Sequence, residues 1–142
     1  MPEGMGIQYQ THVQNIGWQK TVTDGAMSGT QGKALRLEGV KVNLDNATYA
    51  GRIEYQVHIQ GIGWQSKVSN GAMAGTTGQA RRLEAIKLSL TDELSSSYDI
   101  YYRVHVQNLG WLSWAKNGAS AGSQALSARM EGIEIKLVPK ET

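Results

Sequence analysis

All three histidines of this chain, His12, His58 and His105, occupy one position of a phrase that recurs along the sequence, and each precedes a tryptophan by six residues, at Trp18, Trp64 and Trp111. Three equivalent imidazoles could in principle hold one metal ion. They would then have to meet on a common axis, yet they alternate with apolar neighbours whose face must line that axis, so ligation is disfavoured. Structural hydrogen bonding, or a place in a surface site of each repeat, is the better reading. No metal and no cofactor is expected. The tryptophans admit two roles: packing in the core, or offering a flat apolar ring with a polar edge on which a sugar can stack.

Other groups recur in step. Gln14, Gln60 and Gln107 follow the histidines, Asp24, Asn70 and Asn117 precede a glycine, and Arg36/Glu38, Arg82/Glu84 and Arg129/Glu131 set a cation and a carboxylate two residues apart. A guanidinium donates in a fixed fork and a carboxylate accepts, so each pair is either a surface ion pair of small energetic weight or a clamp for sugar hydroxyls or an N-acyl group. With the histidines and tryptophans, these residues supply the ring face and polar groups that a shallow saccharide site requires. Catalysis finds little support. There is no nucleophile elbow, phosphate loop or cysteine, and a glutamate repeated three times gives three similar carboxylates where a glycosidase needs two in different environments.

The elements that must position these groups are legible from the repeat itself. Matching stretches begin at Ile7, Ile53 and Ile100, and the period is 46 from Trp18 to Trp64 and 47 from Trp64 to Trp111. Repeats are therefore placed at about 7–52, 53–99 and 100–142. Tyr9-x-Thr11-x-Val13 and its copies alternate with polar residues, as a half-buried strand does. A second strand is expected from each Gly-Trp pair to the Asp24-Gly25, Asn70-Gly71 and Asn117-Gly118 dipeptides, which tolerate the positive φ of a tight turn. Gly29, Gly75 and Gly122 mark another turn.

The last segment changes phase. Leu35 and Leu37 share one parity, Val40, Val42 and Leu44 the other. A one-residue β-bulge at Gly39, Ala85 and Gly132 reconciles them and divides the segment into two strands, with Arg36, Glu38 and Lys41 facing away from the core. Helix is the competing reading of Lys33 to Leu44, opposed by the alternating β-branched ends. The expectation is an all-β chain of about four strands per repeat, in one threefold-pseudosymmetric domain. A β-prism is preferred over a β-trefoil, and Asp45–Arg52 and Thr91–Asp99 serve as connecting loops.

Composition bounds the function classes. With 142 residues the chain is long enough for one packed core, and without cysteine it has neither disulfides nor thiolate metal sites. The net charge of +2 is scattered, Arg81 and Arg82 being the only adjacent basic pair, so nucleic acid is not an expected partner. No apolar run approaches a membrane span, and the stretch from Met1 to Gly6 lacks the basic and apolar parts of a signal peptide. Export, if it occurs, is expected to depend on something other than this stretch.

The pattern Tyr-x-x-His-Val-Gln-x-x-Gly-Trp, then Asn-Gly-x-x-Ala-Gly-x-x-Gly, then Arg-Leu-Glu-Ala-Ile, resembles the clostridial hydrophobic repeats with a tryptophan, the ChW repeats. The second copy, Tyr55 through Leu90, is closest. The third departs at Ala125, where Gly32 and Gly78 stand in the others, and at Met130 for Leu37 and Leu83. Trp114 replaces Thr21 and Lys67, and resembles a second tryptophan of such repeats. It points to different binding by copy three or to a ring that fills a gap.

The resemblance implies an extracellular or cell-wall-associated protein of Gram-positive bacteria or their phages, with the repeats beside a hydrolase or adhesive region. The expected function is a non-catalytic module binding cell-wall glycan, either peptidoglycan or a secondary wall polymer, at up to three equivalent sites, with no membrane partner. It would target an attached lysin or surface protein. The alternative is a protein-binding adhesion module.

Overall fold

A computed structural model describes residues 5–45, 49–123 and 128–140. Three copies of one strand pattern follow one another. The first holds β1 (Gly6–Val13), β2 (Gly17–Trp18), β3 (Val22–Thr23), β4 (Ser28–Gly29) and β5 (Leu37–Asp45). The second holds β6 (Ile53–Ile59), β7 (Gly63–Trp64), β8 (Val68–Ser69), β9 (Met73–Gly75) and β10 (Leu83–Leu90). After the short helix α1 (Asp92–Ser97), the third holds β11 (Tyr98–Val106), β12 (Gly110–Trp111), β13 (Ala115–Lys116), β14 (Ala121–Gly122) and β15 (Met130–Pro139).

The chain is all-β apart from α1, as its alternation predicts, and among the described residues the strands form three similar sheets and no closed barrel. In β1 the side chains of Ile7, Tyr9, Thr11 and Val13 are buried while Gln8, Gln10 and His12 are half-buried. The Asp24, Asn70 and Asn117 turns take φ of 35°, 42° and 47°, followed by glycines at 84°, 84° and 89°. Lys33 to Leu44 is not helical: it is irregular to Arg36 and strand from Leu37.

The structure differs from the sequence reading in four places. The run from each Gly-Trp pair to the following turn breaks into two two-residue strands, both paired with the first strand of the copy. Gly29, Gly75 and Gly122, read as turns, end strands β4, β9 and β14, so a copy has five strands and not four. The bulge falls where the phase change puts it, but the skipped residue is the glutamate. His12 faces Gly39 and Val13 faces Leu37, which leaves Glu38 without a partner, and Glu84 and Glu131 are skipped in the same way. The strand runs through the bulge unbroken. Finally, Thr91–Asp99 contains α1, whose Leu94 is buried. Ala125 and part of Asp45–Arg52 lie outside the described residues.

Each sheet takes its fifth strand from another copy. β9 pairs with β5, β14 with β10, and β4 with β15, so copy two completes the sheet of copy one, copy three that of copy two, and copy one that of copy three. The exchange closes a ring. Tyrosines reinforce it: the Tyr9 hydroxyl donates to Ala26 O and accepts from Ile135 N (3.1 Å), and Tyr55 donates to Ala72 O and accepts from Val42 N (3.1 Å). Tyr102 donates to Ala119 O and bonds the backbone of Leu88. The buried apolar side chains of all three copies form one cluster, and Met130 is buried like the Leu37 and Leu83 that it replaces.

Candidate functional site

The bulge builds the site. Because Glu38, Glu84 and Glu131 have no cross-strand partner, their carboxylates turn onto the polar face of the sheet, where the neighbouring strand presents a histidine. In copies two and three His58 Nδ1 lies 2.9 Å from Glu84 Oε1 and His105 Nδ1 lies 3.2 Å from Glu131 Oε1, both in hydrogen-bond geometry. In copy one His12 Nδ1 is 3.0 Å from Glu38 Oε1 but is not aligned for a hydrogen bond. The other oxygen takes the arginine: Nε of Arg36, Arg82 and Arg129 donates to Oε2 at 2.9, 3.0 and 2.9 Å.

The ion pair expected of Arg and Glu is present in every copy, but it is not a fully exposed surface pair. The glutamate side chains are only 7%, 6% and 7% exposed. In copies two and three both carboxylate oxygens already hold protein partners, and in copy one Glu38 Oε2 does, so little accepting capacity is left for a ligand. Loss of either partner would leave a charge poorly compensated.

Tryptophan stands on the other side of the histidine. Trp18, Trp64 and Trp111 lie directly opposite His12, His58 and His105 across the strand pair, and the rings meet edge to face at 5.3, 5.4 and 5.4 Å. The indoles are half-buried and lie outside the buried apolar cluster. In copy one the ring edge reaches over Gly39, where an added Cβ would touch it at 3.4 Å, so the small residue at the bulge also makes room for the indole.

A cation that the sequence reading missed covers each ring. Lys41 Nζ sits 4.4 Å from the Trp18 ring and Lys87 Nζ 4.3 Å from Trp64. Copy three has Glu134 at this position, and the cation is supplied from the facing strand: Arg103, opposite Glu134 and bonded to it at 2.7 Å, lies 4.9 Å from Trp111. Lys41 pairs with Gln10 and Lys87 with Gln56 in the same register. The swap of Gln/Lys for Arg/Glu is visible in the repeat once the strand register is known.

Trp114 departs from the symmetry. Arg103 packs on its ring at 4.8 Å and Lys136 at 4.4 Å. In copy one the equivalent Thr21 lines an open groove of about 150 Å³ together with Gln10 and Lys41, so the large ring stands where copy one has space. The gap-filling reading has this geometry in its favour.

Asp24, Asn70 and Asn117 are not brought to the tryptophans. Their side-chain oxygens accept from the backbone N–H of Ile7, Ile53 and Ile100 at 2.8, 3.0 and 3.0 Å, at the opposite end of the strand. Gln14, Gln60 and Gln107 accept the backbone N–H of Arg36, Arg82 and Arg129 at 3.3, 3.3 and 3.4 Å. These six residues together line one cavity of about 360 Å³.

Two further surfaces adjoin the clusters. The loop of copy one at Gln31, Gly32 and Ala34 faces His105, Asn108, Arg129 and Glu131 of copy three across a groove of about 650 Å³, as the exchanged strand requires. At the adjacent turn tips Ile16, Ile62 and Leu109 are 50%, 51% and 53% exposed. Their equivalence was readable from Asn-Ile-Gly, Gly-Ile-Gly and Asn-Leu-Gly, but exposure of aliphatic residues runs against the usual burial tendency.

No curated protein and no solved structure matches the chain significantly. The family model described as Clostridial hydrophobic W matches three times, at 12–46, 58–92 and 105–139, each match opening on the histidine of the cluster. The chain belongs to the ChW repeat family, with three repeats.

Proposed function

We propose that this chain is a non-catalytic module that holds its protein to the cell-wall glycans of Gram-positive bacteria, at three equivalent saccharide sites, one per repeat. The observation that carries this reading is the threefold recurrence, outside the apolar core, of an indole flanked by a histidine edge and a cation, with an arginine-paired glutamate on the other side of the histidine. An indole face suits the apolar face of a sugar once the long flexible cation over it swings aside, and the arginine fork suits its hydroxyl or acyl oxygens. Repetition favours a polymer with many copies of one epitope, because bound sites raise the effective concentration for the rest. In this reading the module acts outside the cell and directs an attached lysin or surface protein to the wall.

Sedimentation of the purified protein with Gram-positive cell walls, before and after secondary wall polymers are stripped from peptidoglycan, tests it. Binding that survives stripping assigns peptidoglycan, and binding that is lost assigns the polymer. Absence of binding to walls from several clostridial and related hosts would overturn the reading. A protein-adhesion role would then take its place, favoured by the exposed Ile16, Ile62 and Leu109.

A further inference from the structure

We infer that the cavity shared by Arg36, Arg82, Arg129, Gln14, Gln60 and Gln107 is a single oxyanion site, one per chain, that takes a phosphate or phosphate monoester. This inference shares the three arginines with the wall-glycan reading but does not rest on it. The same two positions of all three copies line one space, which places it on the pseudo-threefold axis.

Among the described residues no carboxylate lines the cavity; Glu38, Glu84 and Glu131 pair with the arginines at 2.9, 3.0 and 2.9 Å without lining it. The glutamines are oriented, since each side-chain oxygen accepts the N–H of the following arginine, which leaves the amide NH₂ as the free end. Each arginine commits its Nε to a glutamate, and Arg82 Nη2 also lies 2.9 Å from Glu84 Oε2; of the five N–H donors of each guanidinium the others remain for an occupant. The cavity therefore meets its occupant with three guanidinium groups and three amide donors.

Symmetry narrows the occupant. A tetrahedral phosphate viewed along one P–O bond presents three equivalent oxygens, one to each Arg-Gln pair, whereas a carboxylate offers two. Ala34 and Ala80 at the rim hold φ of 56° and 55°, a conformation that alanine rarely adopts, and strain of this kind concentrates at ligand sites. The volume of about 360 Å³ leaves room for a small organic group on the phosphate.

Titration calorimetry with inorganic phosphate at low ionic strength tests the inference. One phosphate per chain is expected. Arg82→Gln should weaken binding roughly tenfold or more, through loss of a charge-assisted donor. Gln60→Glu keeps the acceptor for Arg82 N but puts a carboxylate in the ring, and should abolish binding. Circular dichroism checks that both variants remain folded. No binding at millimolar phosphate, three equivalents per chain, or unchanged affinity in folded Gln60→Glu would overturn the site. Glycerol phosphate competing at the same stoichiometry assigns the site to an esterified phosphate and its failure to compete assigns free phosphate; either result upholds an oxyanion site. Wall sedimentation of the unchanged protein is read separately, so absence of wall binding with phosphate binding intact counts against the wall-glycan proposal alone.

Discussion

Tyr9, Tyr55 and Tyr102 tie each copy to the next through buried hydroxyls that both donate to and accept from backbone. Burial pushes the Tyr9 phenol from 10.0 up to about 12 and raises Tyr55 and Tyr102 as well. A raised pKa means that the folded state favours the neutral phenol. The stability this contributes is complete below the unfolded value near 10 and is lost as pH climbs toward about 12. The urea midpoint should hold steady up to that range and then fall, with tyrosinate absorbance of these rings appearing only as the chain unfolds. Titration of all the tyrosines at their ordinary value in the folded protein would contradict the assignment. At this scale the sequence revealed the residue types and their repetition. It did not reveal that the glutamates are buried between histidine and arginine, because that depends on which residue the bulge skips, nor that Arg103 stands in for the missing lysine of copy three.

Among the elements, the exchanged strands depend on glycine. Gly75 has φ of 106°, and an added Cβ would lie 2.4 Å from Glu38 O, a backbone atom of the adjoining bulge. Gly63 has a comparable φ of 94° with nothing within 4 Å. Alanine at both positions separates conformational strain from close approach. Gly63→Ala should cost about 1–2 kcal/mol in urea unfolding, and Gly75→Ala clearly more, since the strand pair itself must open. Equal losses would show that the approach is not tight. The long strands and the phase change were legible from the sequence. Gly75, read there as a turn, instead ends the exchanged strand β9. That strand was not legible, because two- and three-residue strands carry no alternation and pairing between repeats leaves no local signal.

At the level of the whole molecule, three copies with one strand each in a neighbour's sheet form a ring that presents the indole clusters three times and the arginine–glutamine cavity once. The threefold arrangement was legible because 46- and 47-residue periods match residue by residue. The split of the candidate residues was not. Read along the chain, His12, Gln14, Trp18, Asp24, Arg36 and Glu38 look like one site, but the fold divides them. Trp18, His12 and Glu38 form an outer cluster, Gln14 and Arg36 converge with their copies in one cavity, and Asp24 closes a turn at the far end of β1. Arg36 alone belongs to both groups, since it bonds Glu38 and lines the cavity.

The central claim is that three equivalent clusters bind a repeating glycan together. Wall sedimentation of Trp18→Ala, Trp64→Ala and Trp111→Ala, singly and combined, with circular dichroism confirming the fold, tests it most directly. Each cluster removed should lower affinity by roughly tenfold, in similar steps whichever copy is changed, until the triple variant no longer sediments. Undiminished binding by the folded triple variant, or complete loss on removal of any single ring, would contradict the account.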